Sequence, residues 1–391
     1  MSSYFHRYFR QVDAETPYVV YSEQSLLEGI KLAKLAGGTI YYAVKACPFF
    51  EILRIVDENV DGFEVQSEFE LDLLDLAGIK RPCIVAHGAA KTTSYIERVH
   101  RAGGIVYANS LAEYSKILSC KAFQGRVGVR VNFGLFDSRF SNSRSKLGMS
   151  VTQALEVMEE GEPSVDSFSI HNHSLCREVS LEKAEKQIDL VGNFLEKLPA
   201  RARDLVSSIN LGGGVDSPLN FARQGLSFTE FQNRRAELVS ERFTQEIKFE
   251  YGHLIIEDAA CAVTSVVDSF ADGSDSDWCI VDIGTNLLVP IPSAKFHVDT
   301  MDDRRKCERY NVADIACSPA AVIASDVKLP AMREGEKLVV EGCGAYTYSL
   351  SENFSNYIPP AFILRENGEH KDLLSQENSV SIATQLFSGE D

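Results

Sequence analysis

A lysine ends one of the most strand-like runs of this chain, IYYAVKACP, at position 45. Lysine is rarely buried without a partner, so Lys45 either reaches the surface or is held at the strand end for chemistry. A lysine that is shielded from water has a lowered pKa and can attack a carbonyl to form a Schiff base. Because strand position alone favours a structural lysine, the other residues must decide between the two.

Two further runs place groups with chemical potential at the ends of strand-like segments. INLGGGVD carries Gly212, Gly213 and Gly214, whose N–H groups can approach an anion such as phosphate, although a plain tight turn is the alternative. SIHNHSLC carries His171 and His173, which share one side of a regular strand. Zinc would need further ligands, and no matching cluster is evident, so we expect no metal. Stacking on a planar cofactor and ordinary burial remain open.

An acid, a thiol and a phenol complete the set. Glu257 follows the apolar run LII and needs a partner, which a protonated pyridine nitrogen or a basic side chain could supply. Cys317 in ADIACSPAA and Tyr346 in GCGAYTYSLSENF each look, taken alone, like ordinary core residues.

The elements that must position these residues alternate between strands and helices. The eight strand-like runs are TIYYAVKA (39–46), GFEVQS (62–67), CIVAHG (83–88), IVYANS (105–110), VGVRVN (127–132), SFSIHNHS (167–174), SINLGGG (208–214) and LIIEDAA (254–260). Near-continuous apolar strands separated by amphipathic helices predict an α/β fold, and eight of them predict a (β/α)8 TIM barrel. A doubly wound open sheet is the alternative. The glycine run follows the seventh strand, where such barrels often bind phosphate.

The pattern predicts a division into a barrel over residues 23–260 and a C-terminal β-rich domain over 261–391. The latter shows strand-like runs separated by turn signals, with few helical stretches. We expect residues 1–22 to pack against this second domain. Ser180, which precedes Leu181-Glu182, is predicted to cap a helix.

Composition narrows the class of protein. The 391 residues carry a formal net charge of −17, which argues against partners such as nucleic acid or an anionic membrane. Nine scattered cysteines without a C-x-x-C pair are typical of reduced thiols in the cytoplasm. We find neither an apolar leader at the N-terminus nor an apolar run of the roughly 18 residues that a membrane helix needs.

Several motifs follow one another along the chain, namely TPYVVYS, YYAVKA, GFEVQS, HGAAK, GVRVN, H-x-H, GGG, IIE, Cys317 and GAYTYSLSENF. In this order they resemble the fold type III decarboxylases that use pyridoxal 5'-phosphate (PLP). This group includes ornithine, diaminopimelate and arginine decarboxylases and shares its barrel with alanine racemase. The resemblance implies that Lys45 forms an aldimine with PLP during removal of an amino acid's α-carboxylate. It also implies a homodimer with shared active sites, in which Cys317 protonates the carbon that loses CO₂.

The resemblance also assigns the remaining residues. His173 matches the histidine that stacks on the pyridine ring, Glu257 the acid at the ring nitrogen, and Tyr346 a tyrosine that reaches the phosphate. The implied catalytic residues are Lys45, Cys317, His173 and Glu257. The implied cofactor-binding residues are Lys45, Glu64, His87, Arg130, His173, Cys176, Gly212, Gly213, Gly214, Glu257 and Tyr346.

Three departures from the family pattern bear on function. The family has E-P-G-R after the eighth strand, whereas Glu257 is followed by Asp-Ala-Ala, so the phosphate-binding arginine is missing. The Leu175-Cys176 pair resembles carboxynorspermidine decarboxylases, which also lack it. The run CSPAA after Cys317 lacks the acid that binds a distal amine, although Asp326 could compensate.

We therefore expect a small-molecule amino-acid substrate other than ornithine, lysine or arginine. It carries a different side chain or is a larger metabolite of a specialised biosynthesis. An amino-acid racemase or epimerase on the same fold and a non-catalytic PLP-binding protein are the alternatives.

Overall fold

The computed structural model describes residues 14–80, 83–134, 145–271, 273–289, 296–300, 304 and 308–387. These residues form two compact units. One contains residues 30–255, and the other combines the described residues of 14–29 with those of 256–387. The described chain begins with strand β1 (Tyr18–Ser22) and helix α1 (Glu23–Lys34).

Eight parallel strands close into a barrel within residues 30–255, which confirms the predicted fold class. The barrel strands are β2 (Thr39–Ala43), β3 (Gly62–Val65), β4 (Ile84–Ala86), β5 (Ile105–Ala108), β6 (Arg126–Asn132), β8 (Ser167–His171), β9 (Val206–Asn210) and β10 (Glu246–Tyr251). Pairing of β2 with β10 and of β5 with β6 closes the ring. The short strand β7 (Met149–Ser150) pairs with β6 alongside it.

Helices follow the strands and cover them with apolar faces. They are α2 (Phe50–Asp57), α3 (Glu68–Leu76), α4 (Thr93–Arg101), α5 (Leu111–Leu118), α6 (Val151–Glu160), α7 (Leu181–Lys197), α8 (Ala200–Asp204), α9 (Pro218–Arg223) and α10 (Phe228–Arg242). Hydroxyl side chains cap several of them, and Ser180 does so for α7, as predicted, by accepting from the Lys183 amide. Since helices cover the outer face, strands such as β4 and β5 are buried along their whole length.

The predicted eighth strand, 254–260, was wrong. That run forms helix α11 (His253–Ile256) and a 3₁₀ turn over Glu257–Ala259. The barrel's eighth strand is β10, with the sequence EIKFEY, and its alternating charged residues concealed it from a search for apolar runs. Inside the barrel these charges find partners: Lys248 Nζ donates to Ser208 Oγ at 3.0 Å, and Glu250 accepts from Asn210 Nδ2 at 2.6 Å.

The second unit consists mainly of β-sheet. Its strands are β11 (Ala260–Phe270), β12 (Asp277–Val281), β13 (His297–Thr300), β14 (Glu308–Asp314), β15 (Val322–Leu329), β16 (Lys337–Glu341), β17 (Ala361–Leu364) and β18 (His370–Leu374), and helix α12 (Gln376–Phe387) follows them. Strand β1 lies between β11 and β17 in this sheet. Tyr18 and Val20 pack in its core with Cys261, Val263 and Leu364. Among the described helices of the chain, none has the length and apolarity to cross a membrane.

Candidate active site

Lys45 lies in a 3₁₀ turn directly after β2, at the carboxyl end of the barrel strands. Its amine forms an ion pair with Glu64 of β3, the strand that pairs with β2. The Lys45 side chain is 31% exposed, whereas that of Glu64 is 2% exposed. The buried carboxylate therefore holds an amine that a molecule entering from solvent can still reach.

The three glycines lie in the loop after β9, against the segment that follows β8. The Gly213 amide donates to His173 Nδ1 at 3.2 Å. A Cβ on Gly213 would stand 2.1 Å from the Glu250 carbonyl oxygen, and one on Gly214 would stand 2.0 Å from the Leu175 carbonyl oxygen. Both distances are far below van der Waals contact, so only glycine allows the loop to pack this closely.

His173 presents a neutral ring beside this loop. Burial, and then the nearby charge of Arg130, lower the pKa of His173 to about 3. Because Nδ1 accepts from the Gly213 amide, the ring proton belongs on Nε2. A neutral imidazole can stack on a flat aromatic ring without adding charge.

Glu250, which the sequence analysis did not single out, lies near the end of β10 with its side chain inside the barrel. His87 Nε2 stands 2.5 Å from Glu250 Oε1, and Asn210 Nδ2 donates to the same oxygen. Burial alone would raise the pKa of Glu250, but the nearby His87 and His171 rings outweigh it and hold the pKa well below its usual range. The carboxylate is therefore ionised.

Arg130 of β6 completes the charged group. Burial lowers the pKa of Arg130, while the carboxylates of Glu250 and Glu64 favour its charged form. The barrel thus brings together two acids, one lysine and one guanidinium around the partly accessible His173 ring. Cys176 follows on the same loop and is partly exposed.

The other predicted site residues belong to the second unit. Glu257 is buried in the 3₁₀ turn, and its carbonyl accepts from the Gly344 amide at 3.1 Å. Tyr346 is half-buried and has a φ of 59°, and Cys317 is exposed after β14. Glu257 therefore does not stand at the end of the eighth strand, where it was predicted.

Because β10 is the eighth barrel strand, the residues at its end are the ones to compare with the family's E-P-G-R run. The residues at the end of the true eighth strand are Glu250-Tyr251-Gly252-His253, which keep the acid and the glycine of the family run. A basic residue, His253, stands where the family has arginine. The E-x-G spacing after a strand is the signal that could have identified Glu250.

Residues 29–259 match the family model described as "Pyridoxal-dependent decarboxylase, pyridoxal binding domain". The chain belongs to the pyridoxal-dependent decarboxylases. This decarboxylase uses pyridoxal 5'-phosphate as its cofactor and acts on an amino acid. The donor set of the barrel fits that group, because it offers a partly exposed lysine, an ionised carboxylate and a neutral imidazole that can stack on an aromatic ring.

Curated relatives and solved structures agree with this membership. The decarboxylase is 27% identical to the diaminopimelate decarboxylase of Deinococcus radiodurans, over 89% of this chain and 90% of the relative. It is 26% identical to the L-glutamyl-[BtrI acyl-carrier protein] decarboxylase of Niallia circulans, over 88% and 87%. Its fold resembles the crystal structure of diaminopimelate decarboxylase from Helicobacter pylori complexed with L-lysine, with a TM-score of 0.82, 19% identity and coverage of 98% and 100%.

Proposed function

We propose that this decarboxylase releases the α-carboxylate, as CO₂, from an amino acid whose side chain does not end in a simple ammonium group. The observation that carries the proposal is the lack of an available acid near Cys317 in sequence. The residues after it, Ser318 to Ala321, contain no carboxylate. A buried ammonium without a counter-charge is unfavourable by several kcal/mol, on the order of the effective desolvation cost of one ion.

Two acids near Cys317 in sequence, Asp314 and Asp326, already have partners. Asp314 is buried and accepts from the Thr285 amide, the Thr285 hydroxyl and the Ala316 amide. Asp326 forms an ion pair with Arg309 and accepts from the Ser276 hydroxyl. These contacts argue against the earlier possibility that Asp326 compensates for the missing acid.

The proposed roles follow from the positions within the barrel. Lys45 would hold the cofactor covalently, the neutral His173 ring would pack on the pyridine, and the glycine loop and Tyr346 would lie at the phosphate. Bound PLP would supply an aromatic ring that accepts electrons from the bond being broken. Cys317 would be the proton donor to the carbon that has lost CO₂.

We assign the acid at the ring nitrogen to Glu250, because it stands at the strand end and is ionised. Glu257 has neither the strand position nor the E-x-G spacing. His253 then occupies the sequence position of the family arginine.

We also propose a cytoplasmic homodimer that serves a specialised biosynthesis. None of the eight described cysteines forms a disulfide, as expected in a reducing compartment. Exposed apolar residues of the second unit, among them Ile315, Phe354 and Tyr357, provide a surface that a second copy could cover. Sedimentation analysis of the purified protein tests the dimer.

Measurement of CO₂ release over a panel of amino acids tests the substrate class. The panel contains ornithine, lysine, arginine and diaminopimelate, together with amide-linked derivatives of glutamate and of 2,3-diaminopropionate. We expect kcat/KM for the best amide-linked substrate to exceed that for lysine and ornithine by at least about 100-fold, the discrimination that one unpaired buried charge provides. Comparable turnover of lysine or ornithine would contradict the proposal.

The same assays separate decarboxylation from racemisation. Each substrate is followed both for CO₂ and for loss of optical rotation, with Cys317→Ala as the matched variant. We expect CO₂ release without racemisation, and a lower rate in Cys317→Ala. Loss of rotation without CO₂ would assign the chain to racemase chemistry instead.

A further inference from the structure

A cluster of aromatic and imidazole rings lies beneath Glu250, inside the barrel. It comprises His87 after β4, Tyr107 of β5 and His171 of β8. The His87 and Tyr107 rings stack with centroids 4.7 Å apart and planes 9° apart, and the His87 and His171 centroids are 4.2 Å apart. All three residues are at most 2% exposed. No role has yet been given to His171, and His87 was expected to contact the cofactor.

The two histidines approach opposite oxygens of Glu250. His87 Nε2 is 2.5 Å from Oε1, which also accepts from Asn210, so this oxygen has its full complement of donors. His171 Nε2 is 3.5 Å from Oε2, slightly too far for a hydrogen bond. Within the described residues neither ring nitrogen of His171 has a hydrogen-bond partner, although the ring is completely buried.

A fully buried imidazole without partners is costly, so its retention requires an explanation. Burial, together with the charge of His87, holds the pKa of His171 well below its usual range, so the ring is neutral. A neutral ring carries one N–H, and movement of about half an ångström would bring Nε2 within hydrogen-bond distance of Glu250 Oε2. His171 can therefore fix the second oxygen without adding charge.

Resting on the proposed function, we propose that His87 and His171 are positioning residues that orient the Glu250 carboxylate towards the ring nitrogen of the cofactor. His87 fixes Oε1 together with Asn210, and His171 limits the rotation of Oε2. Through this carboxylate the two histidines keep the ring nitrogen protonated, which is the state that accepts electrons best. Neither histidine needs to touch the cofactor.

The same three side chains could in principle hold a metal ion, since their ligand atoms lie within 4.8 Å of one another. Ligand atoms around tetrahedral zinc stand roughly 3.3 Å apart, given zinc–ligand distances of about 2.0 Å. The 2.5 Å separation of His87 Nε2 and Glu250 Oε1 is a direct hydrogen bond and leaves no space for an ion between them. The geometry therefore favours the positioning role.

The test loads the full-length protein with PLP that carries ¹⁵N at the ring nitrogen, and reads its protonation from the ¹⁵N chemical shift. The variants are His87→Gln, His171→Gln and Glu250→Gln. The matched control is His100→Gln. His100 lies on helix α4 and is also a buried histidine with an unpartnered Nε2, but its ring packs against Phe123, away from Glu250. Cofactor affinity is measured in parallel from the visible absorbance.

We expect a protonated ring in the wild type and in His100→Gln, and an unprotonated ring in Glu250→Gln. His87→Gln should shift most of the way towards Glu250→Gln, and His171→Gln part of the way. The apparent Kd for PLP should rise roughly 10-fold or more in His87→Gln, the effect of losing one hydrogen bond to a charged group. Thermal unfolding shows which variants fail to fold. If His87→Gln or His171→Gln fails, the corresponding asparagine variant, His87→Asn or His171→Asn, is used instead.

The outcomes separate this inference from the proposed function. A wild-type signal in both histidine variants overturns the positioning role and leaves the proposed function intact. A wild-type protein that binds no PLP, or binds it with an unprotonated ring, contradicts the proposed function itself. One equivalent of metal in the purified wild type that is lost in His171→Gln would replace the positioning role with a metal site.

Discussion

The barrel contains two lysine–glutamate pairs that differ mainly in their exposure. Lys45 and Glu64 form one pair, in which the lysine side chain is 31% exposed. Lys91 and Glu113 form the other, at 2.7 Å, with side chains that are 1% and 6% exposed. The same two residue types thus form a partly exposed pair, to which we assign the chemistry, and a buried pair.

The difference lies in what surrounds each amine. Lys91 Nζ also donates to the Gly88 carbonyl, and Glu113 accepts from the amides of Lys91 and Asn109. Burial lowers the pKa of Lys91, and Glu113 opposes this effect by favouring the charged form. Every group of this pair is committed to neighbouring backbone, whereas the Lys45 side chain remains 31% exposed. A reactive lysine is therefore recognised by the access to its amine as well as by its partner.

Replacement of Lys45 by arginine should have the largest effect on activity. Lys45→Arg keeps a cation beside Glu64 but cannot form the carbon–nitrogen double bond with the cofactor. We expect CO₂ release to fall by at least about 100- to 10,000-fold, the range for losing a group that transfers protons in the transition state. Borohydride reduction followed by peptide mapping should label Lys45 in the wild type. Label on Lys91 would show that the buried lysine, and not Lys45, binds the cofactor.

Replacement of Lys91 should instead affect stability. Lys91→Met leaves Glu113 buried without its cation, which should lower the free energy of unfolding by about 3–5 kcal/mol. The measurement is urea unfolding followed by circular dichroism. The double variant Lys91→Met with Glu113→Gln should recover part of the loss, because glutamine leaves no buried charge and its one carbonyl oxygen still accepts one of the two backbone hydrogen bonds. A single variant as stable as the wild type would show that this pair is dispensable.

Glu70 tests the electrostatics around the Lys45–Glu64 pair. Burial, and then the Glu64 carboxylate, raise the pKa of Glu70 from 4.5 to about 7. The fold therefore retains a proton that the unfolded chain releases, so stability is greatest below pH 4.5 and declines as the pH rises through 7. From pH 4.5 to pH 8, the wild type should lose on the order of 3 kcal/mol relative to Glu70→Gln. If the free energy of unfolding changed with pH in the same way in the wild type and in Glu70→Gln, the raised pKa of Glu70 would be excluded.

The exposed pair of Arg309 and Asp326 should show the smallest effect. Their side chains are 44% and 60% exposed, so solvent screens the attraction. We expect Asp326→Asn to leave both the melting temperature and kcat/KM unchanged within error, for lysine and for the best substrate alike. A selective loss of lysine turnover would restore Asp326 as an amine-binding acid.

The sequence alone determined the barrel and the family, and it located Lys45 and the glycine loop at the ends of barrel strands. Strand and helix periodicities are local properties, and seven of the eight predicted barrel strands overlap strands of the structure. Lys45 and Gly212–Gly214 were recognisable because each followed an apolar run directly. The order of the motifs along the chain then indicated the family before any contact was known.

Only the tertiary structure decided which acid stands at the end of the eighth strand. EIKFEY carries three charged residues, and the burial of two of them, Lys248 and Glu250, became intelligible only once partners from neighbouring strands were in place. Glu250 depends on His87 and Asn210, which are 163 and 40 residues away in sequence. The sequence also could not show the ion-pair partner of Asp326 or the full burial of His171. A charge inside a barrel is stable only through contacts between distant strands, and a local pattern cannot report such contacts.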